Sequence, residues 1–291
     1  MAKEELKGKI DNTGFIPALF KLEEARKRRN SSRETNKYSF GDRVIDEYMG
    51  GGYGRENAYE LICLFGDTGY NKSTLLSQMV VSAAARGAKV AYLALEDEVE
   101  DAVDRIDRQI VDGSGIAREE IVEKIMANIF FFPENDSYSL NSLADLIEKL
   151  FLTYDLVVID PIQFVFEASI VENGESEFNR QRLFMRRLNN IMKKSGKTLV
   201  FVSHTNKSGS ARDREDAGMM KIQGSGALQQ ICSKVIEIGR DKEGMRHLRL
   251  WKSRFTPFRR LPLQVKLDGD TMRISNVGYT PSEMMELRER W

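Results

Sequence analysis

The chain reads as an α/β protein: a mainly parallel, twisted sheet flanked by helices, with antiparallel C-terminal strands and an N-terminal helical arm. Three observations predict this. From Phe40 onwards, short apolar runs alternate with helical stretches, as in a sheet covered on both faces. Residues 61–76, LICLFGDTGYNKSTLL, pass from an apolar run through a glycine-containing turn into a helical pattern. Near the C-terminus, three short runs follow one another with only brief turns between them.

Taken in order, residues 1–37 form an arm. Phe15, Ile16, Ala18, Leu19, Phe20 and Leu22 precede the charged run Glu23–Arg29, which predicts a short amphipathic helix, and NSSRETNKYS follows as a linker. That helix either packs on its own domain or docks on a neighbouring subunit. Residues 38–291 form one domain. Its expected parallel strands are Tyr59–Phe65, Lys89–Leu95, Ile129–Phe132, Leu156–Ile159 and Thr198–Ser203. Its expected helices are Ser73–Arg86, Val99–Val111, Leu140–Thr153 and Glu177–Ser195. Val235–Ile238, Arg246–Trp251 and Gln264–Asp268 are expected to extend the sheet as antiparallel strands.

Composition excludes several classes. The 291 residues carry 44 Lys+Arg against 44 Asp+Glu, so nucleic-acid binding by bulk charge alone is excluded. The 41% hydrophobic content argues against a wholly disordered chain. No run approaches the ~18 apolar residues of a membrane span. The start, MAKEELKGKIDN, has no secretory signal character. Cys63 and Cys232 make neither a zinc framework nor a disulfide scaffold, and Cys63 is expected to be a buried thiol. A cytoplasmic location is expected, in a bacterium or a phage-infected host.

The strongest motif is the turn Gly66-Asp67-Thr68-Gly69-Tyr70-Asn71-Lys72-Ser73, followed by Thr74. Backbone N–H groups of such a turn wrap nucleotide phosphates, and the helix N-terminus adds a favourable dipole. Lys72 would reach the β- and γ-phosphates of ATP or another NTP, and the Ser73 hydroxyl would take one Mg²⁺ position. The usual motif has glycine where Asn71 stands. Asn tolerates a left-handed backbone better than most residues, so the loop can still close.

Three strand ends complete the set. Leu156–Asp160 is an apolar strand ending in a carboxylate, and Asp160 could hold Mg²⁺ through its water shell. Glu96 ends the Lys89–Leu95 run, where a glutamate can deprotonate an attacking water. Asp97 and Glu98 read as surface residues. His204 ends the Thr198–Ser203 run, where a polar group can sense the γ-phosphate.

With these motifs in order, the chain resembles the DnaB-like replicative helicases of the RecA-like P-loop NTPases, notably phage primase–helicases and their mitochondrial relative Twinkle. The resemblance covers about residues 38–275. It rests on GDTGYNKST, AYLALED, YDLVVIDPIQFV and FVSHTNK, on QGSGALQQICSKVIEI (223–238), and on LRLWKSRFTP (248–257). It implies a ring-forming, hexameric, ATP-driven helicase translocating 5′→3′ on single-stranded DNA. It makes Glu96 the catalytic carboxylate and His204 the sensor. Lys252 and Arg254 become an arginine-finger strand that acts on the next subunit's γ-phosphate. The family's Gly-rich turn after the finger is replaced by Thr256-Pro257-Phe258-Arg259-Arg260.

DNA is expected at a loop carrying Lys207, Arg212, Arg214, Lys221, Gly224, Ser225 and Gly226, by backbone tracking rather than base reading. A second loop, about Phe166–Phe178, would also face the channel. The resemblance gives the arm a subunit-docking role, and leaves priming and synthesis to a separate primase and polymerase. A RecA-like recombinase or mediator, and an ATP-gated DNA-binding ring with weak hydrolysis, use the same core and stand as alternatives. Charge is placed unevenly: residues 96–104 hold six acids and no base, whereas 240–260 hold eight Lys/Arg against two acids.

Overall fold

The computed structural model describes residues 36–55, 58–111, 117–132, 139–168, 177–205, 226–241, 243–254 and 262–278. In chain order these form β1 (Asn36–Tyr38), α1 (Arg43–Tyr48), β2 (Tyr53–Arg55), β3 (Glu60–Gly66), α2 (Lys72–Ala85), β4 (Val90–Ala94), α3 (Val99–Gln109), α4 (Arg118–Met126) and β5 (Ile129–Phe132). There follow α5 (Leu140–Thr153), β6 (Leu156–Asp160), α6 (Gln163–Ala168), α7 (Glu177–Ser195), β7 (Thr198–His204), α8 (Gly226–Ile231), β8 (Lys234–Arg240), β9 (Arg246–Ser253), β10 (Leu263–Leu267) and β11 (Ile274–Asn276).

Nine strands make one sheet in the order β11-β10-β9-β8-β3-β7-β6-β4-β5. The six from β8 to β5 are parallel, and β9, β10 and β11 add antiparallel. This is the expected architecture with two corrections. Val235–Ile238 does not begin the antiparallel extension: β8 pairs in parallel with β3, Ile62 opposite Lys234 and Phe65 opposite Glu237. The chain returns to the amino end of the sheet before entering β8, so the direction reverses only at the short turn into β9. A second correction falls on the linker: its residues Asn36–Tyr38 form β1, which pairs with β2 in a small antiparallel ribbon. The helix expected at Phe15–Arg29 lies outside the described residues.

The inner parallel strands β3, β4, β6 and β7 are apolar along their middles because both faces are covered. On β3, Ile62 and Leu64 face a core built with α2, α3 and α4, while Leu61, Cys63 and Phe65 face one built with α5 and α7. Truncating a side chain such as Leu64 to Ala costs about 2–5 kcal/mol at a site of this kind. Cys63 and Cys232 are both buried and free, and burial, with Cys232 alongside, holds the Cys63 thiol well above its ordinary pKa. Side-chain caps set helix starts. Asp42 Oδ1 accepts from the amides of Val44 and Ile45 at α1, and Ser139 and Ser142 form a reciprocal box at α5.

The amino edge of the sheet holds a buried ion pair. Lys234 Nζ stands 3.2 Å from Glu60 Oε1 and donates to the Gly52 carbonyl at 2.5 Å. The other oxygen of Glu60 accepts from the Gly54 amide at 2.7 Å. This pair straps the glycine-rich segment before β2 onto β3 and β8. Among the described residues, no helix is long and apolar enough to cross a membrane.

Candidate functional site

The carboxyl ends of β3, β4, β6 and β7 converge, as open α/β sheets require of a ligand site. β3 ends on Gly66 because β8 passes so close that a Cβ there would overlap the Ile238 carbonyl oxygen. The first glycine of the motif is therefore demanded by sheet packing. The loop then turns through Asp67–Asn71, and α2 begins at Lys72. Asn71 caps α2 with φ 67° and ψ 34°, the left-handed conformation that glycine usually supplies here. Thr68 and Gly69 are exposed, whereas Thr74 is buried in the helix and its carbonyl accepts from Gln109.

Lys72 is buried, and its ammonium donates back to the Asp67 carbonyl at 3.0 Å. Burial lowers its pKa, against the opposing pull of Asp160, Glu96 and Asp67. Asp160 closes β6 at the same depth. Burial raises its pKa to about 6, although Ser73, Tyr92 and Arg105 favour the charged form. The Tyr92 hydroxyl donates to Asp160 Oδ2 at 3.0 Å. A desolvated carboxylate hydrogen-bonded to a hydroxyl at a helix start suits Mg²⁺, which keeps most of its waters and takes few protein oxygens. The residues present thus fit the ion.

Glu96 lies just beyond β4 with its carboxylate 44% exposed, and His204 Nε2 stands 3.4 Å from Glu96 Oε2. The structure therefore brings together Lys72, Ser73, Asp160, Glu96 and His204. Asp97 and Glu98 are exposed, as expected, and Asp97 binds Arg105 at 2.6 Å, which in turn acts on Asp160.

Lys252 and Arg254 lie elsewhere. β9 runs antiparallel to β8, so Arg246 starts it at the carboxyl edge, opposite Arg240, and Ser253 ends it opposite Lys234. Eight residues of strand put Arg254 roughly 25 Å from that edge. There Lys252 Nζ donates to the Gln230 carbonyl at 2.8 Å, and Arg254 Nη2 to the carbonyls of Gln230 and Ile231 at 3.0 Å each. Both cations thus cap the C-terminus of α8, the helix that Gly226 opens. Lys207, Arg212, Arg214, Lys221, Gly224 and Ser225 lie outside the described residues, as does most of the loop expected after β6.

Sequence reasoning passed over Tyr92, Arg105, Thr205, Arg240 and Arg246. Thr205, whose hydroxyl binds the Asp67 carboxylate, directly follows the predicted sensor. Tyr92 stood out as a phenol in an aliphatic strand. For Arg240 and Arg246 the sequence held no signal, because their partners are distant in the chain.

A mainly parallel sheet with a phosphate-loop geometry at the carboxyl end of its central strand defines a RecA-like P-loop ATPase core. Residues 52–210 match the AAA domain family, more than half of the chain, and the chain belongs to that family. It is 27% identical over 245 residues to the DNA repair protein RadA of Brucella abortus, covering 82% of this chain and 45% of that protein. It is 26% identical over 250 residues to the DNA helicase/primase of Enterobacteria phage T3, covering 77% and 44%. The chain thus spans less than half the length of these curated relatives. Among solved structures, an isolated ATPase domain superposes with a TM-score of 0.66 at 14% identity, covering 88% of this chain and 99% of that one. A KaiC-like protein of Pyrococcus horikoshii superposes with a TM-score of 0.59 at 18% identity, covering 84% and 99%.

Proposed function

We propose that this chain is the ATPase core of a DnaB-like DNA helicase, a ring-forming motor that moves on single-stranded DNA. The observation that carries this reading is the division of its candidate residues between two places. Lys72, Ser73, Asp160, Glu96 and His204 share one edge, whereas Lys252 and Arg254 lie too far away to serve that site. Placed there, a finger would act on a neighbour's nucleotide, which would make hydrolysis depend on assembly. The similarity to the T3 helicase/primase supports the same reading.

In this reading the amides from Asp67 to Ser73 cradle the phosphates of ATP. Lys72 swings from the Asp67 carbonyl to the β- and γ-phosphates. Ser73 and Asp160 would hold Mg²⁺, which screens phosphate charge when bound. Glu96 takes a proton from the water that attacks the γ-phosphorus as the bond to ADP breaks. His204, touching Glu96, reports whether the γ-phosphate is present. Arg254 of the adjacent protomer stabilises charge on the transferred group. DNA is held by the 207–226 loop, and the residues before β1 serve as a docking arm beside the ATPase domain that β1 opens. The similarity to RadA proteins favours a second reading, a DNA-repair ATPase that uses the same cycle without strand separation.

DNA-stimulated hydrolysis, measured together with strand displacement on forks of both polarities, separates the two. Unwinding of one polarity is expected; DNA-stimulated hydrolysis with no unwinding on any fork selects the repair reading. The finger has its own test. Lys72→Ala and Arg254→Ala proteins are each expected to be inactive, and mixing them should restore part of the ATPase. If Arg254→Ala alone hydrolyses like the wild type, the trans finger is wrong.

A further inference from the structure

The phosphate loop is gripped from the side by the hairpin joining β8 to β9. Asn71 contributes no side-chain cap to α2; its Oδ1 instead accepts from Arg246 Nε at 3.0 Å. One residue earlier, the Arg240 guanidinium lies 5.5 Å from the centroid of the Tyr70 ring. Arg240 and Arg246 are direct cross-strand partners at the turn end of the hairpin. Like charges so placed repel. Here each guanidinium is taken up by a successive residue of the loop, one through a ring face and one through an amide oxygen. The hairpin turn is firm: the Asp241 amide donates to the Met245 carbonyl at 2.9 Å, and the Met245 amide to Asp241 Oδ1 at 2.7 Å.

Glycine at position 71 would reach the same backbone conformation but offer no anchor. From this geometry we infer that Arg246 is a positioning residue that holds the phosphate loop in its nucleotide-ready shape through the Asn71 side chain. Arg240 on Tyr70 is its second point of grip. The departure from the usual glycine is then half of a pair whose other half lies 175 residues further along the chain. A left-handed asparagine is less favoured than glycine. Its side-chain bond to a cation offsets that cost and makes nucleotide affinity depend on the hairpin. This inference rests on the reading of residues 66–74 as a nucleotide site.

The test is a double-mutant cycle on the full chain, read by binding of fluorescent ADP. Arg246→Met keeps the aliphatic stem and removes the donor and the charge; Arg246→Gln is the second variant should Arg246→Met not fold. With Asn71 present, losing Arg246 is expected to weaken ADP binding about tenfold, as for a hydrogen bond to a charged group. In an Asn71→Gly background the same change should cost less than about twofold, because the bond is already gone. Hydrogen exchange adds a readout without nucleotide: the amides of residues 69–72 should exchange faster in Arg246→Met, while those of β3 and β6 do not. Equal losses in both backgrounds, or unchanged loop exchange, would overturn the inference. The underlying reading fails separately, if Lys72→Ala binds ADP as the wild type does.

Discussion

Two lysines lie buried at opposite edges of the same sheet, and they are held in different ways. At the amino edge, Lys234 is locked between Glu60 and the Gly52 carbonyl, and Glu60 is also held by the Gly54 amide. At the carboxyl edge, Lys72 makes one hydrogen bond to its own loop, to Asp67, among carboxylates that only partly offset its burial. The first arrangement spends a buried charge on fixing the strap before β2. The second leaves a charge costly to bury until an anion arrives. A fully paired group stabilises one geometry, whereas an incompletely paired one stores a preference for a ligand.

Breaking the paired edge should have the largest effect. Lys234→Ala leaves Glu60 buried without its cation and should destabilise the protein by about 3–5 kcal/mol, read from urea unfolding. Replacing both Glu60 and Lys234 by apolar residues should recover most of that loss. A single substitution that costs under ~1 kcal/mol would place the pair on a solvated surface instead.

The ligand edge should respond in the opposite sense. Lys72→Ala should reduce ATP hydrolysis by at least about 100-fold, as loss of a phosphate-stabilising charge does. Its melting temperature without nucleotide should hold or rise. A variant that unfolds as Lys234→Ala does would erase the contrast between the two edges.

The smallest expected effect is on Asp160, and it depends on pH. Its folded pKa, raised from 3.8 to about 6 by burial, means the native state binds the proton more tightly than the unfolded chain. Stability from this group is therefore lost as pH rises from about 4 to 6, and the cost stays in full above that window. Asp160→Asn in Mg²⁺-free buffer should stabilise the protein by about 1–3 kcal/mol at pH 8 and by almost nothing at pH 4. Paired thermal melts at the two pH values check this, and a gain independent of pH would refute it.

Much of this was legible in the sequence because both signals are local. The runs at 59–65, 89–95 and 156–159 read as buried strands, and carboxylate, lysine or histidine at or just beyond the ends of such runs marked the ligand edge. What was misread has a common cause. The direction of β8 depends on where the chain re-enters the sheet, and no residue of Val235–Ile238 encodes that. β1 is three residues long and forms only because β2 lies beside it. α4 buries Ile125 and little else, so its helical period is faint.

By itself, the sequence determined the class of fold and the chemical groups at the ends of its strands, because periodicity and motif spacing act within one element or one turn. Only the tertiary structure decided who holds those groups. It set Arg246 on Asn71, Arg105 between Asp97 and Asp160, and Lys234 on Glu60. It also carried Arg254 to the far end of β9, away from its own phosphate loop. These partners are brought together by strand order and register, which arise when the whole sheet closes over its two cores.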